Sequence, residues 1–268
     1  MSGRRVLITG AGSGLGRELA RVYAERGDRV ACVDLNAERA EETRRLLPGG
    51  GHLALVADVG ADAAMAALKA QVVGAWDGLD VLVNNAGIAS GGECAHTSLA
   101  EWQRTMNINL MGVVRGVREF VPLMEAQGRG LVINVASFAG LAGAPGLGAY
   151  GVSKAAVVAL SEGMRAELIG KGIGVSVLCP SFFKTNLMES FQGASNAPLK
   201  QMASKLMEKS PIDAGDVARY TVAESEAGRF LLLPHRDTRL RWRLKRWLPG
   251  WYFKQLLKYV AQNTRRAG

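Results

Sequence analysis

Short runs rich in β-branched residues alternate along this chain with longer stretches of helical periodicity, an order that folds as βαβ units around a parallel sheet covered on both faces. Strands are predicted at about 4–9, 29–34, 52–57, 79–84, 129–136, 172–179 and 230–234, and helices near 14–27, 36–47, 61–75, 99–127, 148–170 and 213–228. Nothing rich in Pro, Gly or Ser breaks the alternation and no internal repeat appears, so residues 1–234 form one doubly wound α/β domain. With 48% apolar and 21% charged residues in 268, disorder and coiled coil are excluded. The stretch from about 181 to 211 carries no strand signal. Its scattered Phe182, Phe183, Leu187, Met188, Phe191, Leu199, Met202, Leu206 and Met207 describe a mobile helical flap beyond a strand end.

Where the first strand turns into the first helix stands Thr9-Gly10-Ala11-Gly12-Ser13-Gly14-Leu15-Gly16. Glycines there permit a tight turn, let backbone approach a pyrophosphate and leave helical N–H groups aimed at the anion. An ordinary strand-to-helix turn is the alternative, and Asp34 weighs against it. That carboxylate ends the second strand, 18 residues after Gly16, close to the spacing of an acid that takes both ribose hydroxyls. It would also repel a 2′-phosphate, favouring NAD over NADP, although Arg17 and Arg39 are near enough in sequence to weaken the preference. Asp34 could equally cap the helix that starts at Asn36.

Tyr150-Gly151-Val152-Ser153-Lys154 sets a phenol and an ammonium on one helical face. Alone, such a pair is ordinarily a solvated face. Here it is accompanied by Ser137 after the fifth strand, by Asn84-Asn85-Ala86-Gly87 ending the fourth, and by Asn109 inside an otherwise amphipathic helix, where a solvated or capping amide is the plain alternative. Both strand ends belong to the carboxyl edge, where open α/β sheets bind ligands.

With these residues in order, together with Asp58-Val59 after the third strand, the chain from about 4 to 234 resembles the short-chain dehydrogenase/reductase family in its soluble branch. The resemblance implies a Rossmann-like seven-stranded sheet and hydride transfer between nicotinamide and an alcohol or ketone. It assigns Tyr150 as general acid/base, Ser137 as holder of the substrate oxygen, Lys154 to the nicotinamide ribose and Asn109 to a water relay toward the lysine. It also places Gly10, Ser13, Gly14, Leu15, Gly16, Asp34, Asp58, Val59, Asn85, Ala86, Gly87, Pro180 and Thr185 along the cofactor, with Asp58 at the adenine and Thr185 at the carboxamide. A free phenol titrates near about 10, so the neighbouring Lys154 ammonium and a positive nicotinamide ring are expected to favour the phenolate. The implied assembly is a homodimer or homotetramer, for which the apolar Ala155, Ala156, Val157, Val158 and Leu160 supply a face. One departure is Ser181 after Pro180, where the family shows glycine; it restricts the backbone beside the nicotinamide. The aromatic flap points to a hydrophobic, steroid-like or lipid-derived substrate, or else simply packs. A catalytically silent NAD-binding scaffold is the other reading, which the presence of both Tyr150 and Lys154 disfavours.

Other chemistries find little support. His52, His96 and His235 have no metal-ligand spacing and read as surface or strand-edge residues, and no Gly-x-Ser-x-Gly elbow occurs. Cys32, Cys94 and Cys179 fit a reducing compartment rather than a disulfide framework, and Cys179 reads as buried and inert. The run from Arg4 leaves no room for a cleavable signal and no apolar stretch is long enough to span a bilayer, so a cytoplasmic protein is expected.

The net charge of +9 sits at one end. Residues 235–268 hold ten Lys/Arg against Asp237, while the preceding 234 residues balance 23 bases with 23 acids. Leu240, Leu244, Trp247, Leu248 and Trp251 fall on one helical face with cations mostly around the other side, and after Pro249-Gly250 a second such segment follows. This basic extension can lie in an anionic membrane interface, making the protein peripheral, or fold back on the domain or a neighbouring subunit; nucleic acid is disfavoured as a partner.

Overall fold

Seven parallel strands realise the alternation. They are β1 (Arg5–Thr9), β2 (Arg29–Asp34), β3 (Leu53–Val56), β4 (Val81–Asn84), β5 (Gly130–Val135), β6 (Ile173–Leu178) and β7 (Leu231–Leu232), in the order β3-β2-β1-β4-β5-β6-β7. The computed structural model describes residues 3–184 and 197–267. Around the sheet lie α1 (Gly14–Glu25), α2 (Ala37–Leu46), α3 (Asp62–Trp76), α4 (Leu99–Met106), α5 (Gly112–Gln127), α6 (Ala139–Ala142), α7 (Gly148–Leu168), α8 (Ala197–Glu208), α9 (Ala214–Glu226), α10 (Arg236–Trp247) and α11 (Pro249–Ala267). Thr185, Leu187, Met188 and Phe191 of the flap, and the side chains of Leu199 and Met202, lie outside the described residues; α8 is the helical part of that flap.

Alternation along β1 explains the two layers. Val6 and Ile8 point to one face, where Leu15, Leu19 and Tyr23 of α1 meet Val217 and Val222 of α9. Leu7 points to the other, among Met65, Leu68 and Val72 of α3, Phe120 and Met124 of α5, and Met164 and Leu168 of α7. Register pairs Val6 with both Val30 and Val81, and Val83 with Ile133, so apolar side chains lie level across the central strands.

Several expectations are corrected. The single helix expected at 99–127 is α4 and α5 joined by a π-helical turn, Asn107–Met111, because one extra residue is accommodated there without breaking the rod. Asn36, not Asp34, caps α2, accepting the Arg39 N–H at 2.9 Å, while Asp34 Oδ1 accepts the Asn36 N–H at 3.0 Å. The short α6 after Ser137 carries too few residues to show periodicity. Val157 and Val158, read as an assembly face, are buried with Val113, Phe138 and Val177. Phe183 is likewise core rather than pocket wall, packed beside Leu178 and Val217. His235 is buried instead of lying at the surface.

The amino edge is closed by Arg5 and Asp80. The Arg5 backbone N–H donates to Asp80 Oδ2 at 2.9 Å, its Nε to the same oxygen at 2.8 Å and its Nη2 to Oδ1 at 2.9 Å. Arg5 also donates to the carbonyls of Trp76 and Asp77 and to Gln127, joining β1, α3, β4 and α5. Burial pushes the Asp80 carboxyl up, but the Arg5 hydrogen bonds more than reverse this and hold it at about 2. Because its folded value is depressed, its contribution is complete above pH ~4 and is lost as pH falls toward 2. Asp80→Asn is expected to cost about 2 kcal/mol at pH 7 by urea denaturation, with the difference from wild type shrinking below pH ~4 and vanishing only below pH ~2; an undiminished difference at low pH would disprove the assignment.

Candidate active site

The strand order reverses between β1 and β4, and the carboxyl ends of these strands form a crevice. Gly10 and Gly14 adopt positive φ, +65° and +50°, which the turn requires. At Gly16 a Cβ would lie 2.1 Å from the Gly10 carbonyl oxygen, so only glycine allows the helix to start this close to the strand. No side chain caps α1: Ser13 is extended and makes no capping hydrogen bond, and the first turn has no acid. An uncapped helix N-terminus behind backbone that a Cβ would block suits an anionic group.

Asn85 is expected along the cofactor groove; its amide in fact braces the turn. Its Nδ2 donates to the Thr9 and Gly10 carbonyls at 2.9 and 3.1 Å, while the Asn85 and Ala86 N–H groups both donate to Thr9 Oγ1 at 3.0 Å. Asp34 Oδ2 accepts the Gly12 N–H at 2.9 Å, which fixes the carboxylate beside the turn. Arg17 is occupied: it donates to the Gly12 carbonyl, to Thr43 and, at 2.7 Å, to Glu42. Asp58 is exposed after β3, with Oδ1 accepting the Gly60 N–H at 2.7 Å, and Val59 is buried against Gly112. Arg115, which sequence reasoning passed over, ties this loop to the π turn by donating to the Val59 carbonyl, to Asn107 and to Asp62. It sits on an amphipathic helix where an arginine gives no periodic signal.

Farther along the edge, Ser137, Tyr150, Lys154 and Asn109 come together. The Ser137 hydroxyl lies beside the Tyr150 phenol and favours its ionised form, and Ser137 Oγ accepts the Ala139 N–H at 3.2 Å. A Cβ at Gly140 would lie 2.6 Å from the Lys154 carbonyl carbon, so α6 presses onto α7 and carries Ser137 with it. Lys154 is buried, with Nζ donating to the Val135 carbonyl at 2.9 Å and standing 5.9 Å from the Tyr150 ring centroid. Asn109 is fully buried within the π turn, contrary to a solvated amide. Its Oδ1 accepts the Ile88 N–H at 2.8 Å, and its Nδ2 donates to the Ile88 carbonyl and to Ser153 Oγ. Gly87 lies between the two: a Cβ there would be 3.1 Å from Asn109 Oδ1 and 3.3 Å from Lys154 Nζ.

Burial raises the Tyr150 phenol above its ordinary value, only partly offset by the Ser137 hydrogen bond, so the lowering expected from Lys154 is not present in the protein by itself. Burial also pushes the Lys154 ammonium down to about 8. Cys179 is buried and pushed up to about 12, which agrees with an inert thiol. Pro180 accepts the Phe138 N–H at 2.8 Å. Ser181 is not at positive φ, so serine imposes no backbone strain there. Its N–H donates to His235 Nδ1 at 3.2 Å, while His235 Nε2 donates to the Phe182 carbonyl at 3.1 Å, which assigns the neutral Nε2–H tautomer. Thr185 lies outside the described residues. The described residues contain no cluster of His, Cys, Asp and Glu suited to a metal.

Residues 4–196 match the family model of short chain dehydrogenases. An uncharacterized oxidoreductase of Thermotoga maritima is 38% identical over 77% of this chain and 84% of its own. The 2-(R)-hydroxypropyl-CoM dehydrogenase of Xanthobacter autotrophicus is 37% identical over 69% of this chain and 77% of its own. Among solved structures, a short chain dehydrogenase/reductase from Burkholderia phymatum in complex with NAD superposes with a TM-score of 0.85 at 30% identity, covering 91% of this chain and 93% of that one.

A buried ammonium held below its ordinary value costs stability at neutral pH. Because the folded value is depressed, that cost is complete below pH ~8 and disappears by pH ~10.5. Lys154→Met is therefore expected to raise stability by about 1–3 kcal/mol at pH 7, with the gap to wild type closing between pH 8 and 10.5 in thermal melts; a lowered melting temperature throughout would refute the electrostatic account.

Proposed function

This chain belongs to the short-chain dehydrogenase/reductase family, and from that premise we propose that it interconverts a hydrophobic secondary alcohol and its ketone with NAD(H), Tyr150 serving as general acid/base. It is an oxidoreductase acting on CH–OH donors; the observation that carries the finer reading is the gathering of Ser137 and Tyr150 with buried Lys154 behind them, its Nζ 5.9 Å from the Tyr150 ring centroid. The residues that would hold the nucleotide are the Gly10–Gly16 turn with Ser13, Gly14 and Leu15 at the pyrophosphate, Asp34 at the adenosine ribose and Asp58-Val59 at the adenine. Ala86 and Gly87 would line the middle of the groove, with Pro180 and Thr185 near the nicotinamide. Bound there, nicotinamide supplies the hydride acceptor for oxidation and the donor for reduction.

Ser137 Oγ and Tyr150 Oη converge where the substrate oxygen would sit. In oxidation the Tyr150 phenolate takes the hydroxyl proton; in reduction the phenol returns it. Desolvation opposes the phenolate, so positive charge must be brought beside it. Lys154 does not by itself lower the phenol in the protein and loses its own charge as pH rises through about 8, so a bound nicotinamide ring would have to add to it. Asn109 acts as a positioning residue, holding Ile88 and Ser153 next to the lysine as the wall of a proton path. Preference for NAD is supported by the fixed Asp34 carboxylate, by the commitment of Arg17 to Glu42 and by the NAD in the Burkholderia relative. An apolar substrate is supported by half-buried Phe182 and by the Ala139-Gly140-Leu141-Ala142 segment beside Ser137.

Two measurements test this reading. With a panel of secondary alcohols, absorbance at 340 nm should show turnover with NAD⁺ over NADP⁺. Tyr150→Phe should lower kcat by about 10²–10⁴-fold with NADH binding retained, and Asp34→Ala should erode the cofactor preference. Undiminished turnover in Tyr150→Phe would remove the tyrosine from the chemistry, and turnover with NADP⁺ alone would overturn the role given to Asp34. We also infer a homodimer or homotetramer, with Met111 and Val152, exposed on neighbouring helical segments, at the contact. Sedimentation equilibrium should find more than one chain per particle, and a monomer at micromolar concentration would refute this.

A further inference from the structure

Helix α10 rests on the body through its less apolar side. Thr238 is buried with its hydroxyl donating to the His235 carbonyl at 2.7 Å. Trp242 packs against the Val113, Phe138, Val157 and Leu233 cluster, and Lys245 Nζ donates to the Leu141 carbonyl at 2.6 Å. From α11, Tyr252 Oη donates to the Ala142 carbonyl at 3.1 Å. The extension is thus fastened to α6, just beyond Ser137. At 100° per residue, Leu240, Leu244 and Trp247 lie opposite the side that Thr238, Trp242 and Lys245 commit to the body. Leu240 is 60% exposed and Trp247 79%. Leu248 is 53% exposed, and on α11 Trp251 and Leu257, 49% and 68% exposed, flank Lys254 and Lys258. Self-packing therefore uses one side of α10 and leaves its apolar stripe on the other.

We propose that this exposed face is a docking surface for an anionic lipid bilayer, on which α10 and α11 lie in the plane of the interface. Exposed Arg236, Arg241, Arg243, Arg246, Lys254 and Lys258 accompany the stripe, with Asp237 the one acid in the extension. Tryptophan and leucine beside such cations match the two layers of a bilayer surface, acyl chains below and phosphate above. None of the described helices is long and apolar enough to cross a membrane, so the contact is peripheral. A second copy of the chain fits less well. Isologous pairing sets each face against itself and would bring the arginines together, whereas anionic headgroups neutralise them. Nucleic acid would engage the cations and leave Leu240, Trp247 and Leu257 in water. This inference goes beyond the oxidoreductase reading and does not rest on it.

The full-length protein should co-sediment with vesicles of phosphatidylcholine and phosphatidylserine and stay in the supernatant with phosphatidylcholine alone, binding should weaken as salt is raised, and tryptophan emission should shift to the blue. Trp247→Glu with Leu257→Glu, and separately Arg243→Glu with Arg246→Glu, should each weaken pelleting at least about tenfold while NADH binding is retained. Absence of wild-type pelleting on the anionic vesicles, or equal pelleting on both compositions, overturns the proposal whether or not a variant folds. Undiminished pelleting of both variants also overturns it. If the wild type ignores both vesicles and Trp247→Glu/Leu257→Glu dissociates the oligomer, the face is a subunit contact instead.

Discussion

The site depends on how β1 and β4 are tied where the strand order reverses. The Thr9 hydroxyl accepts two backbone N–H groups from Asn85 and Ala86, and the Asn85 amide returns two hydrogen bonds to the Thr9 and Gly10 carbonyls. Thr9 is buried and the other groups are partly so, and the four bonds hold the glycine turn in one geometry. That geometry directs the N-terminus of α1 at the crevice and places Ala86 and Gly87 opposite it. The amide thus fixes the floor of the crevice.

A second polar thread crosses the sheet below. Asn84 donates to Asn134 Oδ1 at 2.9 Å and Asn134 to Ser161 Oγ at 3.0 Å, joining β4, β5 and α7 inside the core. α7 also carries Tyr150 and Lys154, so its register against the sheet is set by directional bonds as well as by apolar packing. Above it, the π turn inserts Asn109 where a regular helix would have carried it past the lysine. Lys154, Asn109 and Gly87 fill the space left, which is why a buried cation is tolerated: its ammonium has the Val135 carbonyl and its surroundings are fixed polar groups. Burial of that ammonium costs stability locally, the kind of exchange expected at a functional site.

The strands and most of the helices were legible because apolar period separates 2.0 from 3.6 wherever one element spans enough residues. The break at Asn107–Met111 was not: a π turn leaves the apolar stripe nearly continuous, and Ile88 and Ser153, the partners of its Asn109, come from other segments. Arg115 was invisible for a related reason, since its partners Val59, Asp62 and Asn107 come from other segments. His235, read as a surface or strand-edge residue, is buried because it joins the Ser181-Phe182 loop to the start of α10, and no local pattern reports a link between chain segments that far apart.

The sequence by itself determined the parallel α/β architecture, the carboxyl edge at which Thr9–Gly16, Asp34, Ser137 and Tyr150-x-x-x-Lys154 had to meet, and the concentration of positive charge after residue 234, since periodicity, spacing and composition are local properties. Tertiary structure alone decided which of these groups are desolvated and which way an amphipathic helix turns. Burial raised Tyr150 and lowered Lys154 where proximity had suggested only mutual help, since desolvation depends on every neighbour at once. Likewise α10 was legible as amphipathic, but its apolar side could face inward or outward. Trp242 and Lys245 found partners on the body and Thr238 was buried, while Leu240 and Trp247 were left facing out.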